Sequence, residues 1–238
     1  MAIPLKNHDI VYFPMPKTAC TSLKLLFFHL NENRVFKNYK KNGTLMHIHN
    51  AGYGTPYFSD LSHSEHATKT RVTVIRDPIS RLLSAYSNRV VFHRELSERR
   101  IDTDLAEKLG ISPDPSPDEF FLNLEKYRAL STSIKHHTDP ATKFLGPSLD
   151  YFQKVYPLEK LTDLVDFISE KTSQNLKLGR EQTGGQKIYF KDLSKSARKQ
   201  LALYCMGDYA LLNKHYQLPP EVDTLFPGPV ERAVCGAH

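Results

Sequence analysis

The chain has 238 residues and a mass of 27.2 kDa, with 24% charged and 40% hydrophobic side chains, 11 Gly and 15 Pro. That composition excludes collagen-like, low-complexity and wholly disordered chains, and no apolar run approaches the roughly 18 residues of a membrane helix. The net charge of +6 is unevenly placed: residues 1–100 hold 15 basic and 7 acidic side chains, whereas residues 101–238 hold 17 and 19. A basic region beside a neutral one suits an anionic ligand held at one place, although a solvated basic surface has the same signature. The length predicts a single domain over residues 1–238. The first residues, MAIPLKNHDIVYFPMPK, carry charges where a signal peptide needs its apolar run. Three scattered Cys (20, 205 and 235) without a CxxC pair suggest neither zinc nor a disulfide framework. The expected location is therefore cytoplasmic.

Asp9–Pro14 (DIVYFP) is a short β-type run. After it, Leu23, Leu26, Phe27 and Leu30 fall at i, i+3, i+4 and i+7, one face of a helix. Residues 31–70 are polar, with little periodicity, and predict loops and short pieces. Arg71–Ile75 (RVTVI) is β-branched and predicts a second buried strand. Asp77 then stands at an N-cap position and Pro78 at the first helical position. Ile79, Leu82, Leu83 and Tyr86 carry that helix to about Phe92. Residues 97–117 predict a surface excursion with a short helix, followed by a helix over Pro117–Leu130. Gly146–Pro147 breaks the chain, Phe152–Tyr156 predicts a third strand, and Leu158–Lys171 the helix after it. Residues 173–187, with Gly184–Gly185, predict a mobile loop. Ser194 to about His215 predicts a long amphipathic helix with Leu201, Tyr204, Cys205 and Leu211 inward. The last twenty residues hold four Pro and predict an irregular tail over 219–238. Strands alternating with helices imply an α/β fold with a mostly parallel central sheet flanked by helices. Ligands of such sheets bind beyond the carboxyl ends of the strands.

Two loops stand at that edge. The first, Pro14-Met15-Pro16-Lys17-Thr18-Ala19-Cys20-Thr21-Ser22, joins a strand to a helix start. Free backbone N–H groups and the helix dipole favour an anion there. Lys17 adds a full charge, and Thr18, Thr21 and Ser22 add hydroxyls. The logic is that of a P-loop, but the glycines of GxxxxGK[ST] and an acidic magnesium ligand are missing, which counts against an ordinary ATP or GTP hydrolase. Alone, Lys-Thr at a helix start reads equally as a plain N-cap. In the second loop, Arg76 leaves its strand at the same edge and Ser84 lies about two turns into the helix. A guanidinium and a hydroxyl so placed can clamp a phosphate, or Arg76 can simply pair with a carboxylate.

Together the loops say more. PKTACTSL after the first strand and RDPISRLLSAY after the second resemble the sulfotransferases that use 3′-phosphoadenosine 5′-phosphosulfate (PAPS). The details are most similar to the carbohydrate branch, including the heparan sulfate 2-O-sulfotransferase type. FQKVYPLEKLTDL and LSKSARKQLALYCMGDYALLNKHY extend the likeness over roughly residues 9–218. The resemblance implies a P-loop-like sulfotransferase fold. It implies that Lys17 contacts the sulfate and the bridging oxygen. Thr18, Ala19, Cys20, Thr21 and Ser22 would cradle the 5′-phosphate, mostly by backbone N–H, and Arg76 and Ser84 would hold the 3′-phosphate. Ala19-Cys20 departs from the Gly-Ser or similar pairs of related loops. The N-terminus is shorter than that of Golgi enzymes, which implies a bacterial-type soluble member.

Sulfuryl transfer needs alignment and positive charge at the leaving oxygen, no metal, and a base for the acceptor hydroxyl. By similarity to an HxH segment at this place in the 2-O type, His49 is the first candidate base and His47 the second. On an extended Met46–His49 segment both would point to one side, and two solvated histidines would look the same. His136-His137 is a further pair, resembling a segment that shapes the acceptor cleft. The expected partners are PAPS and a hydroxyl-bearing acceptor, such as a glycan. The lack of Trp and of any RNP-like motif disfavours nucleic acid. A P-loop-like small-molecule kinase and a non-catalytic polyanion-binding module remain as alternatives.

Overall fold

The computed structural model describes residues 2–179 and 185–225. In chain order, β1 (Ile3–Pro4) and β2 (Ile10–Phe13) precede α1 (Cys20–Glu32). A hairpin of β3 (Tyr39–Lys41) and β4 (Thr44–Met46) follows. After β5 (Thr70–Ile75) come α2 (Pro78–Ala85) and a π-helical turn over Tyr86–Phe92. Five short helices then succeed one another: α3 (Thr103–Leu109), α4 (Pro117–Leu122), α5 (Leu124–Leu130), α6 (Thr132–Thr138) and α7 (Ala141–Leu145). β6 (Lys154–Pro157), α8 (Leu161–Thr172) and α9 (Lys195–Leu211) complete the set.

The main sheet runs β1-β2-β5-β6, with β2, β5 and β6 parallel and β1 antiparallel at the edge. The register sets Tyr12 opposite Val72 and Val74 opposite Tyr156. All four residues of β2 are buried, as a strand covered on both faces requires. Its side chains alternate. Ile10 and Tyr12 pack with Leu23 and Phe27 of α1 and with Leu164 and Ile168 of α8. Val11 and Phe13 face the other way, onto Phe144 and Leu145 of α7 and onto Phe152. Edge-on rings of Tyr151 and Phe152 meet Phe13 at 5.5 and 5.4 Å, each such pair contributing about 1 kcal/mol beyond its buried area. A third cluster joins α2, α4, α5 and α9 through Leu82, Tyr86, Phe120, Tyr127, Leu201 and Cys205.

The α/β reading and the two strand–loop–helix units hold, but several boundaries move. β1 and the β3–β4 hairpin carry no pattern strong enough to predict. The expected helix over Pro117–Leu130 is broken at Asn123, whose side-chain amide donates to the Glu119 carbonyl at 3.1 Å, an Asn competing with the helical backbone. Residues 97–117 do contain a short helix, yet Ala106 and Ile111 reach into the third cluster. The expected tail begins with a 3₁₀ turn, Pro220–Leu225, whose Val222 and Leu225 are buried; the rest of 219–238 lies outside the described residues. So do residues 180–184 of the expected mobile loop. Among the described residues no helix is long and apolar enough to cross a membrane.

Candidate active site

The loop after β2 reaches α1 with left-handed backbone at two non-glycine residues, Lys17 (φ 68°) and Ala19 (φ 58°). The second of these is the N-cap of α1, which has no side-chain cap and no acidic residue in its first turn. A helix start bared in this way is an anion site. Lys17 is placed over it. Burial first, and then the neighbouring Arg89, push its amine down to about 8. Thr18 departs from expectation: it is buried and its hydroxyl donates to the Met15 carbonyl at 2.9 Å. It ties the loop rather than offering a hydroxyl to a ligand.

The loop after β5 meets the first directly, since the Arg76 guanidinium donates to the Lys17 carbonyl at 3.1 Å. Asp77 caps α2 by accepting from the Ser80 N–H at 2.8 Å, as its position predicts. Past Ala85 the helix widens, and the His93 N–H donates to the carbonyl of Asn88, five residues back, at 3.0 Å. Such π turns concentrate at functional sites. This one turns Asn88 and Arg89 into the same hollow as Lys17. Asn88 is 3% exposed, and neither atom of its amide has a hydrogen-bond partner among the described residues. That is a costly state for a buried carboxamide.

Lys17, Arg76, Ser84 and Asn88 form a wall common to two adjoining cavities of about 370 and 780 Å³. The smaller is also lined by Ala19, Cys20, Thr21 and Ser22 from the loop, His47 and His49, and His136 and His137. Among the described residues it holds three cationic side chains, Lys17, Arg76 and Arg89, and no carboxylate. The larger extends past Leu83 and Ile79 to Ile188 and Tyr189, side chains that suit a flat base, and also carries Asp77, Ser80 and Lys187. This residue set fits a doubly phosphorylated nucleotide. The bared helix start and Lys17 would take one phosphate and Arg76 and Ser84 the other, with Asn88 lining both cavities beside them.

His47 and His49 come together, though not by extended alternation. The Asn50 side chain accepts from the His47 N–H at 2.7 Å and donates to the Leu45 carbonyl at 3.1 Å, closing a turn over His47–Ala51. The two rings lie 5.7 Å apart. His49 is clasped by α1: its Nε2 is 2.9 Å from Thr21 Oγ1 and its Nδ1 3.0 Å from Lys24 Nζ. Burial and the Lys24 charge push its imidazole down to about 3. His137 Nδ1–H donates to the Ser133 carbonyl at 2.8 Å, so its Nε2 accepts from Arg89 at 3.0 Å and aims that guanidinium. Glu95 holds the other side of Arg89 at 3.1 Å. The α6–α7 junction that carries these histidines is anchored by buried charge. Arg81 donates to the Asp139 carbonyl at 2.7 Å and pairs with Asp208 at 3.1 Å.

The structure thus gathers Lys17, Ala19, Cys20, Thr21, Ser22, Arg76, Ser84, His47 and His49 around one hollow, with the Thr18 side chain turned away. Sequence reasoning missed Lys24, Thr55, Asn88 and Arg89. Asn88 and Arg89 follow the RDPISRLLSAY motif directly, but only the π turn brings both inward. Lys24 stands one helical turn after Thr21, a spacing that shares a face, yet a lysine mid-helix ordinarily points to water. Among the described residues no group of three potential metal ligands occurs. A family model described as "Sulfotransferase family" matches residues 3–217. No curated protein and no solved structure gives a significant match.

Proposed function

The chain belongs to the sulfotransferase family, and from that premise we propose that it moves a sulfuryl group from PAPS to an acceptor hydroxyl of a saccharide or glycoconjugate. One observation carries the reading: Lys17 and Arg76, from different strand ends, touch through the Lys17 carbonyl and line one cavity free of carboxylates among the described residues. PAPS supplies an activated sulfuryl group whose departure leaves charge on the 5′-phosphate. Lys17 meets that charge at a helix start, in a hollow where water competes little. The left-handed loop fixes Lys17 in advance, so little reorganisation is needed during transfer. Arg76 and Ser84 hold the 3′-phosphate and set the nucleotide's direction. Arg89, aimed by His137, adds a second cation on the acceptor side. His49 takes the proton of the acceptor hydroxyl, with His47 as the neighbouring alternative. The saccharide class follows the resemblance of the His47–His49 segment.

Incubation with PAPS and host glycan extract, followed by mass spectrometry, tests the proposal. Sulfated glycans should accumulate, and Lys17→Ala should slow their formation by roughly 10²-fold or more, the loss expected of a transition-state donor. His49→Ala should abolish transfer while leaving nucleotide affinity intact. A thermal-shift series adds the discriminating arm: stabilisation by ATP with Mg²⁺ but not by adenosine 3′,5′-bisphosphate would overturn the assignment in favour of a kinase.

A further inference from the structure

The contacts of His49 pose a chemical problem whose solution involves Lys24. Thr21 and Lys24 stand one turn apart on α1 and occupy both ring nitrogens. Lys24 is fully buried (0% exposed). Its amine lies 2.5 Å from Thr55 Oγ1 and 3.0 Å from His49 Nδ1. Among the described residues no carboxylate pairs with it, and burial pushes the amine down to about 8. An ammonium has three donors and no lone pair. If Lys24 is charged it can only donate to Nδ1, which fixes the proton of neutral His49 on Nε2. The nitrogen that should receive the acceptor's proton is then already occupied. If Lys24 is uncharged, the form of about a tenth of the molecules at pH 7 and of most above pH 8, its lone pair accepts from Nδ1–H, and Nε2 presents its one lone pair to the Thr21 hydroxyl or to an acceptor hydroxyl in its place.

Taking His49 as the base, we propose that Lys24 is its positioning residue: the uncharged amine holds the imidazole in the Nδ1–H tautomer and receives the proton that leaves Nδ1. The step balances. The acceptor hydroxyl replaces the Thr21 hydroxyl at Nε2; its oxygen forms the bond to sulfur and its O–H bond breaks, the proton going to Nε2. The Nδ1 proton passes to the Lys24 lone pair, which leaves neutral His49 in the opposite tautomer and an ammonium at Lys24. The sulfur–oxygen bond to the 5′-phosphate breaks with its electron pair on the phosphate. The base capacity belongs to the pair, because burial disfavours a positive charge on His49 and Lys24 alone does not line the cavity. The cation appears when the leaving phosphate gains charge. The titratable and charged groups facing the pair are Cys20 on α1, His47 on the same turn, Arg89 on the π turn and His136 on α6. Both Arg89 and the two histidines disfavour a second positive charge here.

The tautomer is directly observable. The protein is labelled with ¹⁵N-histidine, His49 is assigned by its loss in His49→Asn, and the spectrum is titrated from about pH 6 to 10. In the wild type the attached proton should move from Nε2 to Nδ1 with a midpoint near 8, the value to which burial drives Lys24. Lys24→Gln, whose amide oxygen accepts, should hold Nδ1–H at every pH. Lys24→Arg, always charged, should hold Nε2–H throughout. A wild-type tautomer constant across this range, or one that moves alike in Lys24→Gln, overturns the proposal. The spectra require no turnover, so their outcome is separate from the loss of transfer in His49→Ala that tests the base itself.

Discussion

Nucleotide affinity should fall as the pH rises above 8, and the size of the fall follows from Lys17. Its amine is pushed down to about 8 by burial and by Arg89 and Arg76, so near neutral pH most molecules carry the ammonium. A bound phosphosulfate or phosphate favours that charged form, and binding at higher pH must first return the lost proton. The sign is therefore fixed: affinity is full below 8 and declines above it. Between pH 7 and 9.5 the charged fraction of a group titrating near 8 falls about thirtyfold, equal to about 2 kcal/mol of binding free energy. The ligand does not contribute to this slope, because phosphate monoesters complete their second ionisation near pH 6. Calorimetric titration with adenosine 3′,5′-bisphosphate at pH 7, 8 and 9.5, in buffers of different ionisation enthalpy, measures both the affinity and the proton uptake. Lys17→Met should bind weakly at pH 7 and show almost no further loss by pH 9.5. A wild-type affinity constant over this interval, with no proton taken up, would refute the placement of Lys17 against the phosphate.

Three further outcomes are expected. Asn88→Leu should leave the fold at least as stable in urea, because the amide it removes has no partner, while weakening adenosine bisphosphate by about tenfold, the worth of one hydrogen bond to a charged group; unchanged affinity would take Asn88 out of the nucleotide site. Ala19→Gly should be neutral or stabilising by up to about 1 kcal/mol, since relief of the left-handed backbone at φ 58° outweighs the added freedom of the unfolded chain; a clear loss of urea stability would contradict the strain argument. Asp208→Ala strands the guanidinium of Arg81, itself 1% exposed, and should cost about 3–5 kcal/mol in chemical denaturation; a loss below about 1 kcal/mol would mean that Arg81 finds another partner.

What could be read from the chain and what could not divide along a physical line. The two site loops were legible because their signals are local. DIVYFP and RVTVI are buried parallel strands that read as apolar runs, and Asp77-Pro78 is cap chemistry confined to adjacent residues. Arg76 and Lys17 could be placed at one sheet edge because parallel strands aim their carboxyl ends alike. The turn at His47–Ala51 was not legible, since it depends on one Asn50 side chain bonding both ways; a period-two reading of Met46–His49 set the two rings on one side by alternation, where the turn is what brings them together. Asn123 broke a helix that its flanking apolar pattern continued. Lys24 was hidden because its burial is decided by Thr55 and His49, residues 31 and 25 positions away. Arg89 was hidden because the aim of its guanidinium depends on His137, 48 positions away.

The widened turn over Tyr86–Phe92 makes the recognition surface a matter of phase. Each residue of an ordinary helix advances the side chains by about 100°, so excising a single residue between Tyr86 and Asn88 and closing the turn to regular geometry would swing Asn88 and Arg89 away from Lys17 while leaving Arg76, Ser84 and the apolar face of α2 undisturbed. One insertion or deletion in this short stretch therefore replaces two groups of the hollow, Asn88 and Arg89, while its Arg76 and Ser84 side stays in place.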